Sequence, residues 1–170
     1  IKGFELAQKA DADIPALIRE YGLSWEMLPT EALNNVKVWD ALLDKNLPLT
    51  ALIRQLPRLT NLDYFKPLEG GTAKVVAKLT DAHNIRKSRV HPLTILNALS
   101  VYSAGEGTRS SWKPSQKIID ALNKAFYLAF DNVEPTSKKF LIGLDVSGSM
   151  GMRSCDGSLT ARQITSAIAS

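Results

Sequence analysis

Apolar positions recur at three- and four-residue intervals through most of this chain, the spacing that gathers them on one face of a helix. Leu33, Val36, Val38, Trp39, Leu42 and Leu43 follow it, as do Leu49, Leu52, Ile53 and Leu56, then Val75, Val76 and Leu79. Ile95, Leu96, Leu99 and Tyr102 continue the pattern. The clearest stripe is Ile118, Leu122, Ala125, Phe126 and Ala129, which predicts a long helix over about residues 114–130. Helix starts and stops are marked as well. Asp13 before Ile14-Pro15 reads as a capped start and Gly22 as a stop, and Ser24 is placed to cap Trp25-Glu26-Met27. Pro29, Pro48 and Pro92 each read as the opening of a helix. Pro57 should kink its helix or end it near Leu56, since proline lacks the amide hydrogen and crowds the preceding turn. Glu69-Gly70-Gly71 reads as a turn, and Ala104 to Ser111 as a glycine-containing loop.

Leu28-Pro29-Thr30-Glu31-Ala32-Leu33-Asn34 is similar to His91-Pro92-Leu93-Thr94-Ile95-Leu96-Asn97. Two such matches fit a helical repeat and also fit chance, but successive helices with short joints suit an α-solenoid. The expectation is that residues 13–130 are almost wholly helical, in antiparallel pairs. The pattern then changes. Phe140-Leu141-Ile142-Gly143-Leu144-Asp145-Val146 is nearly all apolar, the mark of a strand buried on both faces, and Leu159 to Ala169 reads as a helix capped by Ser158 or Thr160. Strand, polar loop and helix form the opening unit of a parallel α/β sheet, whose strand ends are where ligands bind. The fold class expected is mainly α, with helical repeats over 1–134 and the start of an α/β domain, truncated, over 135–170.

Charge sharpens this division. Residues 71–139 carry 11 Lys/Arg against 5 Asp/Glu, whereas residues 1–70 carry 8 against 10 and residues 140–170 carry 2 against 2. A basic excess confined to one segment suits a surface facing a polyanion, or else a set of solvated lysine-rich faces. No run approaches the roughly 20 apolar residues of a membrane span. Cys155 has no partner cysteine, which suits a reducing, cytoplasmic compartment. Residue 1 is Ile rather than Met, so the natural N-terminus is expected to lie upstream. Walker loops, nucleophile elbows and zinc-ligand spacings are absent, and the two histidines have no evident acid–base partner, so the chain does not read as an enzyme.

Asp145, Ser147 and Ser149 alternate where the apolar run ends. A carboxylate and two hydroxyls are hard oxygen donors of the kind Mg²⁺ and Ca²⁺ prefer, and Gly148 permits a tight turn between the serines. A serine-rich turn closing a strand is the plainer reading of the same string. In its context, Asp145-Val146-Ser147-Gly148-Ser149 resembles the metal-ion-dependent adhesion site of von Willebrand A domains. That resemblance implies a divalent cation such as Mg²⁺, touched by both serines and often held by the aspartate through water, with further ligands from loops beyond residue 170. On that basis residues 1–170 alone are expected to bind divalent metal poorly.

Arg89-Val90-His91-Pro92, Trp112-Lys113-Pro114, Ala125-Phe126-Tyr127 and Val133-Glu134-Pro135-Thr136 run in order into Phe140 to Met150. With Val38-Trp39-Asp40-Ala41-Leu42-Leu43 and Leu47-Pro48-Leu49-Thr50-Ala51-Leu52-Ile53-Arg54, this order is similar to the Ro autoantigen family, whose N-terminal part is the TROVE domain. The resemblance covers about residues 17–170. It implies HEAT-like repeats that close into a ring carrying a von Willebrand A domain. It also implies a ribonucleoprotein that binds small noncoding Y-like RNAs outside the ring and single-stranded ends of misfolded RNAs in its hole, serving RNA stability and quality control. A nuclease or another protein docked on the A domain is a further implied partner.

The residues themselves offer a case for RNA. His83, Arg86, Lys87, Arg89 and His91 crowd nine positions around a helix end and the next helix start. Arginine and lysine neutralise phosphates, and the free amides opening the Pro92 helix favour anions. Arg109, Trp112 and Lys113 form either a stacking platform with flanking cations or a loop whose tryptophan is core. His91 is either a helix cap or a ligand, and Arg54 and Arg58, four apart, can face a ring interior or solvent. RNA binding leads; the alternative is a protein-interaction scaffold presenting a metal-dependent A domain.

Overall fold

The computed structural model describes residues 2–9, 11–45, 47–66, 70–108, 110–134, 136–139, 141–152 and 159–169. Among these it is mainly α-helical with no strand; one isolated antiparallel bridge joins Glu106 and Ser111. The α-helices are α1 (Lys2–Ala7), α2 (Ile14–Tyr21), α3 (Val36–Asp44), α4 (Leu49–Asn61), α5 (Gly71–Leu79), α6 (Ala82–Ser88), α7 (Pro92–Ala104), α8 (Gln116–Ala129) and α9 (Ala161–Ala169). They fall into two compact units, residues 1–78 and 79–170.

In the first unit α2 begins and ends as its sequence predicts. The Asp13 carboxylate accepts from the Ala16 amide at 3.2 Å, Pro15 occupies the first turn, and Gly22 closes the helix in the left-handed region at φ 65°. The next segment departs from expectation. Pro29 does not open an α-helix; a 3₁₀ turn, Ala32–Asn34, comes first and α3 starts only after Asn35, whose side chain accepts from the Lys37 amide at 2.9 Å. Two adjacent asparagines compete for backbone hydrogen bonds, which favours a cap over a helix interior. The break also leaves the Leu33 carbonyl free for the indole N–H of Trp39, 2.8 Å away and wholly buried. The similarity between the Pro29 and Pro92 segments therefore does not extend to their conformation. Ser24 stands before the 3₁₀ turn Trp25–Met27 without making a capping bond.

Pro57 neither ends nor confines its helix, since α4 runs four residues further to Asn61. A proline in a helix interior costs about 3 kcal/mol. Against that stand Leu56 and Leu59, both with no exposed surface, each worth about 1.5–3 kcal/mol by burial. Burial wins, and the Thr60 hydroxyl adds a bond to the Leu56 carbonyl at 2.9 Å. Beyond α4, the buried Tyr64 donates its phenol O–H to Asp40 at 2.7 Å. Lys74 of α5 reaches the same Asp40 at 3.0 Å and Asp44 at 3.1 Å, so one carboxylate on α3 ties together the turn after α4 and the body of α5. Gly71 makes this possible: a Cβ there would lie 2.5 Å from the Tyr64 ring and 2.7 Å from its carbonyl oxygen.

The second unit is organised by α8, which packs against both α6 and α7. Its Ile118, Leu122, Ala125, Phe126 and Ala129 are all buried, as their spacing predicts. The end of α9 is as expected, and Thr160 forms a reciprocal cap with Gln163: its hydroxyl accepts from the Gln163 amide at 3.2 Å while Gln163 Oε1 accepts from the Thr160 amide at 2.8 Å. The strand expected over residues 140–146 is not formed. Phe140 lies outside the described residues, and residues 141–146 are exposed, Leu141 fully and Val146 at 76%. A strand is stabilised only when its amides and carbonyls meet those of a neighbour, and none runs beside it among the described residues.

Removing the Tyr64 hydroxyl with Tyr64→Phe should lower unfolding stability by about 1–2 kcal/mol in chemical denaturation, because its bond to a carboxylate is lost. Lys74 is held above its usual 10.5 by its bonds to Asp40, then Asp44. Its stabilising contribution is therefore complete below pH 10.5 and should disappear as pH rises through the raised value, a small step given its exposure. Lys74→Met should abolish that step in a stability–pH profile.

Candidate functional site

The basic segment forms one turn and its surroundings. The Asp81 side chain caps α6 by accepting from the His83 and Asn84 amides, and the helix ends at Arg89, held in the left-handed region at φ 51°. Arg86 and Lys87 stand exposed in the last turn and Arg89 just beyond it. Cations there also complement the negative end of the helix dipole, so part of their effect is structural. Arg86 meets Asp131 at 3.4 Å; Lys87 and Arg89 have no ion pair among the described residues.

His91 is the cap of α7. Its Nδ1 accepts from the Leu93 amide at 3.2 Å, with Pro92 in the first turn. Trp112 is core, 9% exposed, stacked on Tyr102 and donating to the Tyr102 carbonyl at 3.0 Å. The stacking platform considered for it does not exist. Lys113 is exposed on the loop before α8, His83 is exposed on α6, and Arg109 lies outside the described residues. Arg54 is exposed and Arg58 half-buried on α4, in the other unit.

Two residues with no mark in the sequence hold the basic turn in place. The 3₁₀ turn Phe130–Asn132 at the end of α8 supplies Asp131, and Asn132 Nδ2 donates to the carbonyls of Ile85 at 3.3 Å and Val90 at 3.1 Å. Those carbonyls flank Arg86, Lys87 and Arg89, so one amide fixes the turn that presents all three. Only the partner, more than 40 residues away, reveals the role of Asn132.

The second constellation is the loop after residue 144. Asp145 Oδ1 accepts from the Ser147 amide at 2.8 Å, and the Ser147 and Ser149 hydroxyl oxygens are 3.0 Å apart. The bonds from the Ser147 amide and then its hydroxyl hold the Asp145 carboxyl below its usual 3.8. Arg162 of α9, another residue the sequence pattern did not single out, donates to the carbonyls of Val146 at 3.4 Å and Ser147 at 3.3 Å. The donor set suits a hard cation. Two oxygens on adjacent corners of an octahedron around Mg²⁺ are about 3.0 Å apart, given metal–oxygen distances near 2.1 Å.

The TROVE domain family matches residues 20–108, more than half of the chain. The chain belongs to the TROVE family. It is 41% identical over 158 residues to the RNA-binding protein RO60 of Caenorhabditis elegans, covering 92% of this chain and 24% of that protein. It is 39% identical over 145 residues to the RNA-binding protein RO60 of Deinococcus radiodurans, covering 84% and 27%. The crystal structure of the Deinococcus radiodurans RO (RSR) protein superposes with a TM-score of 0.83 at 36% identity, over 98% of this chain and 35% of that one. This TROVE segment thus spans about a quarter of the length of the curated relatives it matches.

Asn132→Ala should cost about 1–2 kcal/mol, the price of two carbonyls losing a half-buried donor. It should also raise amide hydrogen exchange in residues 85–90 above that in α8. Uniform exchange across both segments would show that Asn132 does not fix the turn.

Proposed function

We propose that this TROVE chain is an RNA-binding part of a Ro-type ribonucleoprotein, noncatalytic and cytoplasmic, that serves RNA stability and quality control. Its RNAs are small noncoding, Y-like RNAs and the single-stranded ends of misfolded RNAs. The observation that carries the reading is the exposed turn of Arg86, Lys87 and Arg89 in the basic 71–139 segment, in a chain whose relatives are named RNA-binding proteins. No helix among the described residues is long and apolar enough to cross a membrane. Lys87 and Arg89 are the stronger phosphate contacts in this reading, because Arg86 must first leave Asp131. Lys113, Arg109, Arg54 and Arg58 are secondary contacts, and His91 acts through its cap.

Asp145, Ser147 and Ser149 are proposed to hold Mg²⁺ or a similar cation, which would supply a Lewis-acidic point charge for gripping a partner's oxygen. The chain's own task there is to place three oxygens, with Arg162 fixing the loop backbone through two carbonyls. Because that loop is wholly exposed at Asp145 to Ser149, a second reading is a scaffold that offers the metal to a protein partner such as a nuclease.

Replacing Arg86, Lys87 and Arg89 together by Ala should weaken binding to a set of unrelated RNAs by a similar factor. It should also lessen the slope of log affinity against log salt by roughly 2. Unchanged slope and affinity would reduce the cluster to a solvated helix end. Calorimetry should detect Mg²⁺ binding to the intact protein that Asp145→Ala abolishes.

A further inference from the structure

A cavity of about 330 Å³ opens within the first unit between residues 22–26, the end of α3 and the start of α4. Trp25 lines it, with Ser24, Lys45, Thr50 and Arg54; Glu26 is the single acid on its wall. We propose that this cavity binds a nucleoside phosphate, the base against Trp25 and the phosphate between Lys45, Arg54 and the first turn of α4.

The three tryptophans differ in a way that points to a ligand. Trp39 and Trp112 are buried and each gives its indole N–H to a backbone carbonyl. Trp25 is half-buried, sits in the cavity wall, and has no acceptor for its N–H among the described residues. An aromatic face left partly open beside cations is the arrangement that stacks a base while its phosphate is neutralised. Lys45 and Arg54 are exposed and make no ion pair among the described residues. Pro48 at the cap position of α4 offers no side-chain acceptor, so the opening amides of that 13-residue helix add donors on the same side.

Glu26 decides between a bare anion and a nucleotide. It leaves the wall with a net charge of only +1, too little to hold inorganic phosphate selectively, and it is an acceptor for an exocyclic amine or a ribose hydroxyl. The volume lies at the lower end of the range for small-ligand sites, roughly 300–1,000 Å³, which suits one nucleotide and excludes a duplex. None of Arg86, Lys87 and Arg89 lines the cavity, so this inference does not rest on the basic turn; Arg54 alone is shared with the secondary contacts of the RNA reading.

The test is a tryptophan-fluorescence titration of the chain with adenosine monophosphate, adenosine and inorganic phosphate. Adenosine monophosphate should quench saturably, with adenosine and phosphate each binding at least about tenfold more weakly. Lys45→Gln with Arg54→Gln should weaken adenosine monophosphate at least about tenfold without moving the thermal midpoint, and Trp25→Phe should remove the quenching. Changing Arg86, Lys87 and Arg89 to Ala should leave the titration as it was, which separates this site from the basic turn. Displacement by single-stranded oligoadenylate would identify the natural ligand as an unpaired RNA nucleotide; binding of both at once would identify a free nucleotide. Absence of saturable quenching, equal affinity for phosphate alone, or full affinity in the double variant would overturn the proposal.

Discussion

Every described helix in this chain is too short to hold itself in water, and that constraint governs the rest. The longest, α8, has 14 residues, and isolated helices of that length are marginal even in favourable sequences. Each must therefore bury a stripe against a neighbour, and where the stripe is strong it overrules local signals. Pro57 shows this most clearly. Leu52, Ile53, Leu56 and Leu59 lie along one buried side of α4, and ending the helix at Leu56 would expose Leu59 and displace Tyr64 from Asp40. Where no stripe finds a partner the reverse holds, and residues 141–146, apolar as they are, remain exposed.

The same constraint explains how a basic surface is presented. α6 has only seven residues and a single fully buried side chain, Ile85. So small an element cannot set the directions of three long cationic side chains by its own packing. Asn132 and Asp131 do it from the end of α8, the best-buried helix of that unit, by bonding the turn's carbonyls and one of its guanidinium groups. A rigid helix thus supplies the order and a short exposed turn supplies the charge.

Much of this was legible in the sequence because burial periodicity and caps are local properties. The α8 stripe, the Asp13 and Gly22 ends of α2, the Pro92 start of α7 and the helix after residue 159 all follow from residues a few positions apart. The rest depends on particular partners that apolar spacing does not reveal. The late start of α3 answers to Asn35 and to the Trp39 indole needing the Leu33 carbonyl. Trp112 belongs to the core because its ring stacks on Tyr102 and its indole N–H reaches the Tyr102 carbonyl. Asn132 and Arg162 carry no local mark at all, since their acceptors are 15 to 47 residues away. For the oxygen triad, the structure places Asp145, Ser147 and Ser149 in one exposed loop, with the two hydroxyls hydrogen-bonded to each other.

Arg89 ties function to conformation at a single residue. It closes α6 in the left-handed region, where glycine is the usual occupant and an L side chain costs roughly 1 kcal/mol. Helices α2 and α7 both end on glycine in that same region, so this chain uses the unstrained solution elsewhere. A glycine at 89 would relieve the backbone and leave the Asn132 bonds to the Ile85 and Val90 carbonyls untouched, since neither involves the Arg89 side chain. Stability alone therefore does not account for arginine here. Its side chain stands exposed with no ion pair among the described residues, beside Lys87, in the most basic stretch of the chain. Strain retained for a cation whose one structural return is the helix dipole fits the phosphate-facing role proposed for this turn.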